Sequence, residues 1–259
     1  MKRAIVAITL VFAVLLLSGC SSSQEWGWYV VDPTLKRGRI NLAFLVSGIP
    51  WTIGLTICCV IISLIVGFLI SLMGLAKNKY LLGIYRVYVE VFRSIPPLVS
   101  IFWFYYGLPI IIDVALPPFP AGMIALSLYG SAFMAEIFRG GVQSIHQGQF
   151  EAAYALGLSY LKTMRLIIYP QALRRSLPAI GNQLVITLKM TSLVSVIGVS
   201  EILRRGNELA VTEYRPLEIY TFVALQYLAL VLIVSAGVRR LERKLGSDER
   251  FTHASKSEE

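Results

Sequence analysis

Lys189 stands alone in a stretch, Ser176 to Ser200, that holds no other charged residue. A lysine at mid-bilayer costs on the order of 2.5–3.5 kcal/mol on insertion scales, so it faces a cavity or an opposite charge rather than lipid. At helical spacing Thr187, Thr191 and Ser195 share one face, and Lys189 and Ser192 share another. An unbroken helix cannot turn both sets directly into one narrow path. Lys189, Thr191 and Ser192 are the candidates to line a polar path, not all of them directly, with a structural ion pair between helices as the alternative for Lys189. Glu136 precedes Arg139 by three residues, which reads as a local ion pair. With Tyr129, Ala132 and Phe133 it forms a stripe, where gating or direct contact with a ligand are the other uses of the carboxylate.

Covalent and metal chemistry are not indicated. No GxSxG, HExxH or GxxxxGK[ST] pattern occurs. The three cysteines, Cys20, Cys58 and Cys59, have neither CxxC nor metal-ligand spacing, and His146 and His253 lie far apart. Cys58 and Cys59 fall mid-span and read as small apolar packing residues.

The elements that must position these groups are membrane helices. The 259 residues are 56% apolar and only 15% charged, against roughly a quarter charged in soluble domains. No charge occurs between Arg39 and Lys77, Arg93 and Asp113, Asp113 and Glu136, or Glu218 and Arg239. With the stretch around Lys189, each is long enough to cross a bilayer core, which takes about 20 helical residues. The fold class is an all-α polytopic membrane protein with five core spans, near 50–74, 97–112, 121–138, 178–200 and 217–238. Pro96-Pro97 starts the second span. Within the first span Cys59, Ser63, Gly67 and Ser71 recur every fourth residue, a small-residue face suited to close helix approach.

The net charge of +9 does not call for nucleic acid. With alternating spans and an inside C-terminus, segments 75–94, 139–177 and 239–259 carry fifteen Lys or Arg inside, against six in 20–48 and 201–216 outside. Residues 1–20 open with Lys2 and Arg3 and an apolar run to Leu17. They read either as a lipoprotein-like signal, with Cys20 lipidated in LSGC, or as an extra membrane helix. Residues 21–48 read as an extracytoplasmic segment with Trp26, Trp28 and Tyr29 as lipid-interface anchors, 49–240 as the membrane domain and 241–259 as a cytoplasmic tail.

One cytoplasmic segment, EAAYALGLSYLKTMRLIIYP (151–170), is too polar for lipid and too well patterned for a slack loop. It reads as two short helices: one from Glu151, a turn allowed by Gly157 and Ser159, then Leu161, Arg165, Leu166 and Tyr169 at helical spacing until Pro170 stops the run. An exposed helix braced by a second one is a docking element. A partner is needed, because this chain has no phosphate-binding loop of its own.

Glu151-Ala152-Ala153, Gly157, Ile167 and Pro170 resemble the signature of ABC-transporter permease subunits, with Tyr169 where the pattern has leucine. AEIFRGGVQSIHQGQFEAAYALG, YPQALRRSLPAIGNQ, LKMTSLVSVIGVSEI and FRSIPPLV are similar to the polar amino acid importers, and the resemblance spans about residues 38–246. It implies a type I ABC importer fold in the bacterial inner membrane. Two permeases, copies or sisters, would pair around the path among membrane lipids. Separate ATPase subunits would bind ATP and Mg, so this chain would be no enzyme and hold no cofactor. An extracytoplasmic amino-acid-binding protein would deliver the solute. Glu151, Ala152, Ala153, Gly157 and Pro170 would form the ATPase-coupling loop, with both alanines seating it closely. Relatives commonly read Lys-Asp-Thr-Ser-Leu where this chain has Met190, which weakens the case for a strongly cationic substrate. An ABC permease for another small solute, such as an opine or organic cation, is the alternative. A secondary transporter could also use intramembrane Lys and Glu, but the docking motif argues against it.

Overall fold

The computed structural model describes residues 26–245. The signal-or-helix segment 1–20 with Cys20, and most of the expected tail, lie outside the described residues. The described chain begins with a 3-10 turn, Trp28–Val31, followed by α1 (Lys36–Val46) and α2 (Ile49–Gly74). Then come α3 (Lys79–Ser94), α4 (Pro97–Phe102), α5 (Leu108–Ile112) and α6 (Pro118–Gln143). A short hairpin of α7 (Gln147–Ala155) and α8 (Tyr160–Thr163) leads into α9 (Tyr169–Met190), then α10 (Ile202–Glu213) and α11 (Pro216–Leu245). Among the described residues, four helical runs are long and apolar enough to cross a membrane, and a fifth is reached when the bent pair, α3 with α4–α5, is counted as one span.

The small-residue face of α2 packs on α6, as its spacing requires. Cys59, Ser63, Gly67 and Ser71 are all buried, and the Ser63 hydroxyl donates to the Ser127 carbonyl at 3.0 Å. A Cβ on Gly67 would lie 2.5 Å from the Met134 Cβ and 2.9 Å from the Ser131 carbonyl oxygen. The opposite face presents Ile53, Ile57, Ile61, Ile65 and Leu69 outward, where lipid is as good a solvent as another helix. Gly67→Leu is therefore expected to separate α2 from α6 and cost about 1–3 kcal/mol or more through overpacking. The monodisperse fraction after detergent extraction should fall sharply, while Ile57→Leu leaves it unchanged.

The segment expected as a cytoplasmic loop, 75–94, is instead mostly helix α3. Asn78 caps it, its side-chain oxygen accepting the Tyr80 N–H at 2.8 Å. Tyr85 and Val89 are buried against α6 while Arg86, Glu90 and Arg93 stay exposed. A bend of 99° follows. Proline disfavours α geometry in the residue before it, and Ile95 and Pro96 are extended, at ψ 126° and 133°, before Pro97 opens α4.

Two prolines are absorbed rather than obeyed. Pro170 was expected to stop a helix, yet the chain runs helically from α8 into α9. Proline lacks an N–H and crowds the carbonyl four residues back. A π-turn, Met164–Ile168, widens the helix just there, and the Tyr169 N–H bonds to the Met164 carbonyl. The same device precedes Pro109, where Trp103–Gly107 forms a π-turn and the Leu108 N–H bonds to the Trp103 carbonyl. The fourth span consequently begins well before Pro178, which lies inside α9. After Met190 it tightens into a 3-10 segment, Thr191–Ile197, so it is not the unbroken α-helix that the spacing suggested.

At the α2 N-terminal end, Val30, Leu45, Ile202, Leu209 and Ile219 form one buried cluster. Arg37 pairs with Glu213 at 2.6 Å, and the Asn41 amide donates to Glu213 at 3.1 Å and to the Val30 carbonyl at 2.9 Å. The segment before α2 is thus folded onto α10 from Trp28 onward. At the other end of α2, Leu75 packs with Val142, Ile145, Met164 and Ile168, which is where the α7–α8 hairpin is attached.

The docking hairpin and two clefts of the membrane domain

Helix α7 starts at Gln147, one turn before the expected start at Glu151. His146 supplies the cap: its Nδ1 accepts the Gly148 N–H at 3.0 Å. Histidine is not among the preferred N-caps, so composition did not reveal it. Glu151 consequently sits in the second turn, beyond the reach of the helix-dipole advantage, which falls off after the first turn. Its side chain is exposed. Of the two alanines, Ala152 is on the open side and Ala153 is buried within this chain. Ala153 seats α7 on its own hairpin instead of on a partner.

Helix α7 ends as a Schellman motif. Leu158 N–H bonds to the Ala153 carbonyl at 3.1 Å and Gly157 N–H to the Tyr154 carbonyl at 2.9 Å, with Gly157 at φ +74°. The hairpin is braced from behind. Gln171 donates to Gln149 at 3.2 Å, and Arg175 donates to the Ser144 carbonyl. Its front is apolar and open: Leu156 and Leu161 are each 78% exposed, and Tyr154 and Tyr160 half exposed. Exposed apolar side chains in this number are the kind of surface that contacts a protein or the membrane. From α8 the helix continues through the π-turn into α9, so a push on the hairpin reaches Lys189 through one continuous element.

Lys189 lines a mostly apolar cleft of about 440 Å³ between α9, α10 and α11, with Ser192, Leu203, Val223, Tyr227, Leu228 and Val231. It is exposed, and among the described residues it forms no ion pair. Ser192 bonds to the Lys189 carbonyl at 2.8 Å. Thr191 is turned away and buried, its hydroxyl on the Leu188 carbonyl at 2.7 Å. Thr187 and Ser195 are buried as well. The structure therefore brings Lys189 and Ser192 together and separates Thr191 from them.

Glu136 is elsewhere, in a cleft of about 580 Å³ between α3 and α6. Its ion pair is with Arg93, not with Arg139 as its spacing suggested. Arg139 instead donates to the Tyr85 hydroxyl at 3.0 Å and to Gln143 at 3.3 Å. The reason is tertiary: α3 lies along α6 and puts Arg93 over the Phe133 ring, 5.0 Å from its centroid, within reach of Glu136.

Sequence reasoning passed over Glu201, which is fully buried. It caps α10 by accepting the N–H groups of Leu203 (2.9 Å) and Arg204 (2.7 Å), and it also accepts the Tyr227 hydroxyl. Burial pushes its carboxyl above the usual carboxylate range, against the Tyr227 bond and the two N–H groups that pull it down. An acidic residue opening a helix was the available signal.

The described chain is a polytopic helical bundle with a braced hairpin at one end and a lysine-bearing cleft beside a span. The chain belongs to the family of binding-protein-dependent transport system inner membrane components, whose model matches residues 63–247. It is a multi-pass permease subunit of an ABC importer, with the type I fold. It is 39% identical over 224 residues to the glutamine transport system permease protein GlnP of Escherichia coli K12, covering 85% of this chain and 97% of that protein. The arginine transport system permease protein ArtQ of Bacillus subtilis is 35% identical over 209 residues, covering 81% and 95%. The nopaline transport system permease protein NocM of Agrobacterium fabrum is 34% identical over 200 residues, covering 74% and 83%. Among solved structures, an amino acid ABC transporter with histidines superposes with a TM-score of 0.75 at 34% identity, covering 80% of this chain and 96% of that one. The MetNI methionine ABC transporter in an inward-facing conformation has a TM-score of 0.70 at 20% identity, a likeness of fold.

Proposed function

We propose that this chain forms the path of an ATP-driven importer for polar amino acids in a bacterial inner membrane. The exposed apolar hairpin at 147–163, continuous in helix with the span that holds Lys189, carries this reading. A separate ATPase subunit, binding ATP and Mg, docks on Tyr154, Leu156, Tyr160 and Leu161 from the cytoplasm and hydrolyses the nucleotide. An extracytoplasmic binding protein delivers the solute, and a second permease, a copy or a sister, closes the path. A lysine within a span is costly to set against lipid, so the Lys189 cleft is turned to the path or to the second permease. Glutamine, arginine and nopaline, named for the relatives, share an α-amino-acid head group, which supports that substrate class.

The test is uptake in proteoliposomes holding the permease, its ATPase and the binding protein. Accumulation of a radiolabelled amino acid that requires ATP supports the reading. Accumulation driven by an ion gradient without ATP contradicts it. A second outcome concerns docking: Glu151→Lys is expected to weaken retention of the ATPase during purification. Glu151 is exposed and free to meet a basic group. The loss should be greater at low ionic strength, because the Debye length grows from about 10 Å at 0.1 M salt to about 30 Å at 0.01 M.

A further inference from the structure

The α3–α6 cleft has the chemistry of a small zwitterion's receptor. Arg86, Glu90, Arg93, Glu136 and Arg139 line it beside Phe133, giving guanidinium and carboxylate groups side by side with an excess of cations. Arg93 and Glu136 pair across it through one guanidinium nitrogen and one carboxylate oxygen. The pair leaves the other N–H groups of Arg93 and the second oxygen of Glu136 for a ligand. Both side chains are part exposed, 43% and 34%, so the cleft is open to a visitor. The Arg93 guanidinium lies over the Phe133 ring, its Cζ 5.0 Å from the centroid, a cation–π contact that favours its place in the cleft. An α-amino acid carries a carboxylate and an ammonium a few bonds apart. It can enter this pair by exchange, the carboxylate taking Arg93 and the ammonium taking Glu136, so no charge is left alone. The volume of about 580 Å³ leaves room for a side chain.

The cleft's place along α6 adds a role. Glu136 lies about two turns before the end of α6 at Gln143, roughly 10 Å along the axis, and the docking hairpin begins just beyond. We propose that the α3–α6 cleft binds the head group of an α-amino acid on the cytoplasmic half of the path, with its carboxylate on Arg93 and its ammonium on Glu136. The proposal rests on the importer reading and adds a site to it. A zwitterionic lipid headgroup, phosphatidylethanolamine, offers the same pair of charges and is the competing occupant.

The experiment is equilibrium binding to the permease–ATPase complex in nanodiscs of phosphatidylglycerol, without binding protein. The probes are radiolabelled L-glutamine and L-arginine, with their carboxamide and N-acetyl derivatives as competitors. Arg93→Gln and Glu136→Gln are each expected to weaken binding by about tenfold or more, and neither derivative should compete. The exchanged pair, Arg93→Glu with Glu136→Arg, controls for folding. It should restore the yield of intact complex without restoring affinity, because the side chain would then point the wrong way. Unchanged binding in both single variants overturns the proposal. So does equal competition by the derivatives, or the absence of saturable binding of either probe to the unaltered complex. Loss of amino acid binding when phosphatidylethanolamine is added to the discs assigns the cleft to lipid and likewise overturns it. Failure of the importer reading would appear separately, as uptake independent of ATP in proteoliposomes.

Discussion

Gly157→Val is expected to abolish substrate-stimulated ATP hydrolysis and uptake in the assembled importer while the spans still insert. The backbone at Gly157 has φ +74°, a conformation that glycine reaches freely and a β-branched residue only under strain. Space is not the difficulty, since a Cβ there would meet nothing within 4 Å in this chain. The cost is therefore conformational, about 1–3 kcal/mol, and it falls on the motif that ends α7. Relief comes only by unwinding the bonds from Leu158 and Gly157 to the Ala153 and Tyr154 carbonyls. That would displace Leu156 and change the exposed apolar surface proposed to meet the ATPase. Gly157→Asn, which tolerates the left-handed region better, should retain partial coupling. Paired measurements of ATPase rate and uptake at equal complex content check both. Full coupled activity in Gly157→Val would contradict the assignment of this hairpin.

Lys189→Ala should impair transport severely and leave assembly with the ATPase intact. Had Lys189 been one half of a buried pair within this chain, its removal would leave a carboxylate unpaired, at a cost of several kcal/mol, and yield would suffer. Lys189 instead opens on the α9–α10–α11 cleft. Removing a charge that opens on a cleft and has no ion-pair partner among the described residues leaves no carboxylate unpaired, so the folded yield should hold. Initial uptake rate and yield from the same preparation decide the matter. Lost yield would instead assign Lys189 to a structural pair with the second permease, and normal yield with normal uptake would remove it from the path altogether.

The spans were legible because each is an apolar length between charges, and the α2–α6 contact because small residues every fourth position can serve little else. Gly157 was legible for a similar reason: a glycine placed after a helical run is a known stop. Helix α3 was hidden by its own amphipathicity. Arg86, Glu90 and Arg93 break every charge-free window, while the buried side shows only once α6 lies against it. Spacing offered Glu136 the partner Arg139, but the real partner, Arg93, comes from another helix. Pro170 misled because the rule for proline assumes an α-helix, and a π-turn ahead of it removes the clash. Ala153 could not be assigned a side until the start of α7 was known, and that start depends on a histidine cap. Thr191 fell out of the path when the helix tightened after Met190.

Ser192 shares the cleft with Lys189 and sits downstream of the hairpin on the same helical element, which makes it the position to watch. In a chain with Cys20, Cys58 and Cys59 replaced, Ser192→Cys can be labelled with a membrane-impermeant maleimide in proteoliposomes, with and without ATP. The expected result is a labelling rate that changes on ATP binding when Gly157 is present and does not change in Gly157→Val. A rate indifferent to nucleotide, or a nucleotide response that survives Gly157→Val unaltered, would contradict the claim that this hairpin drives the path.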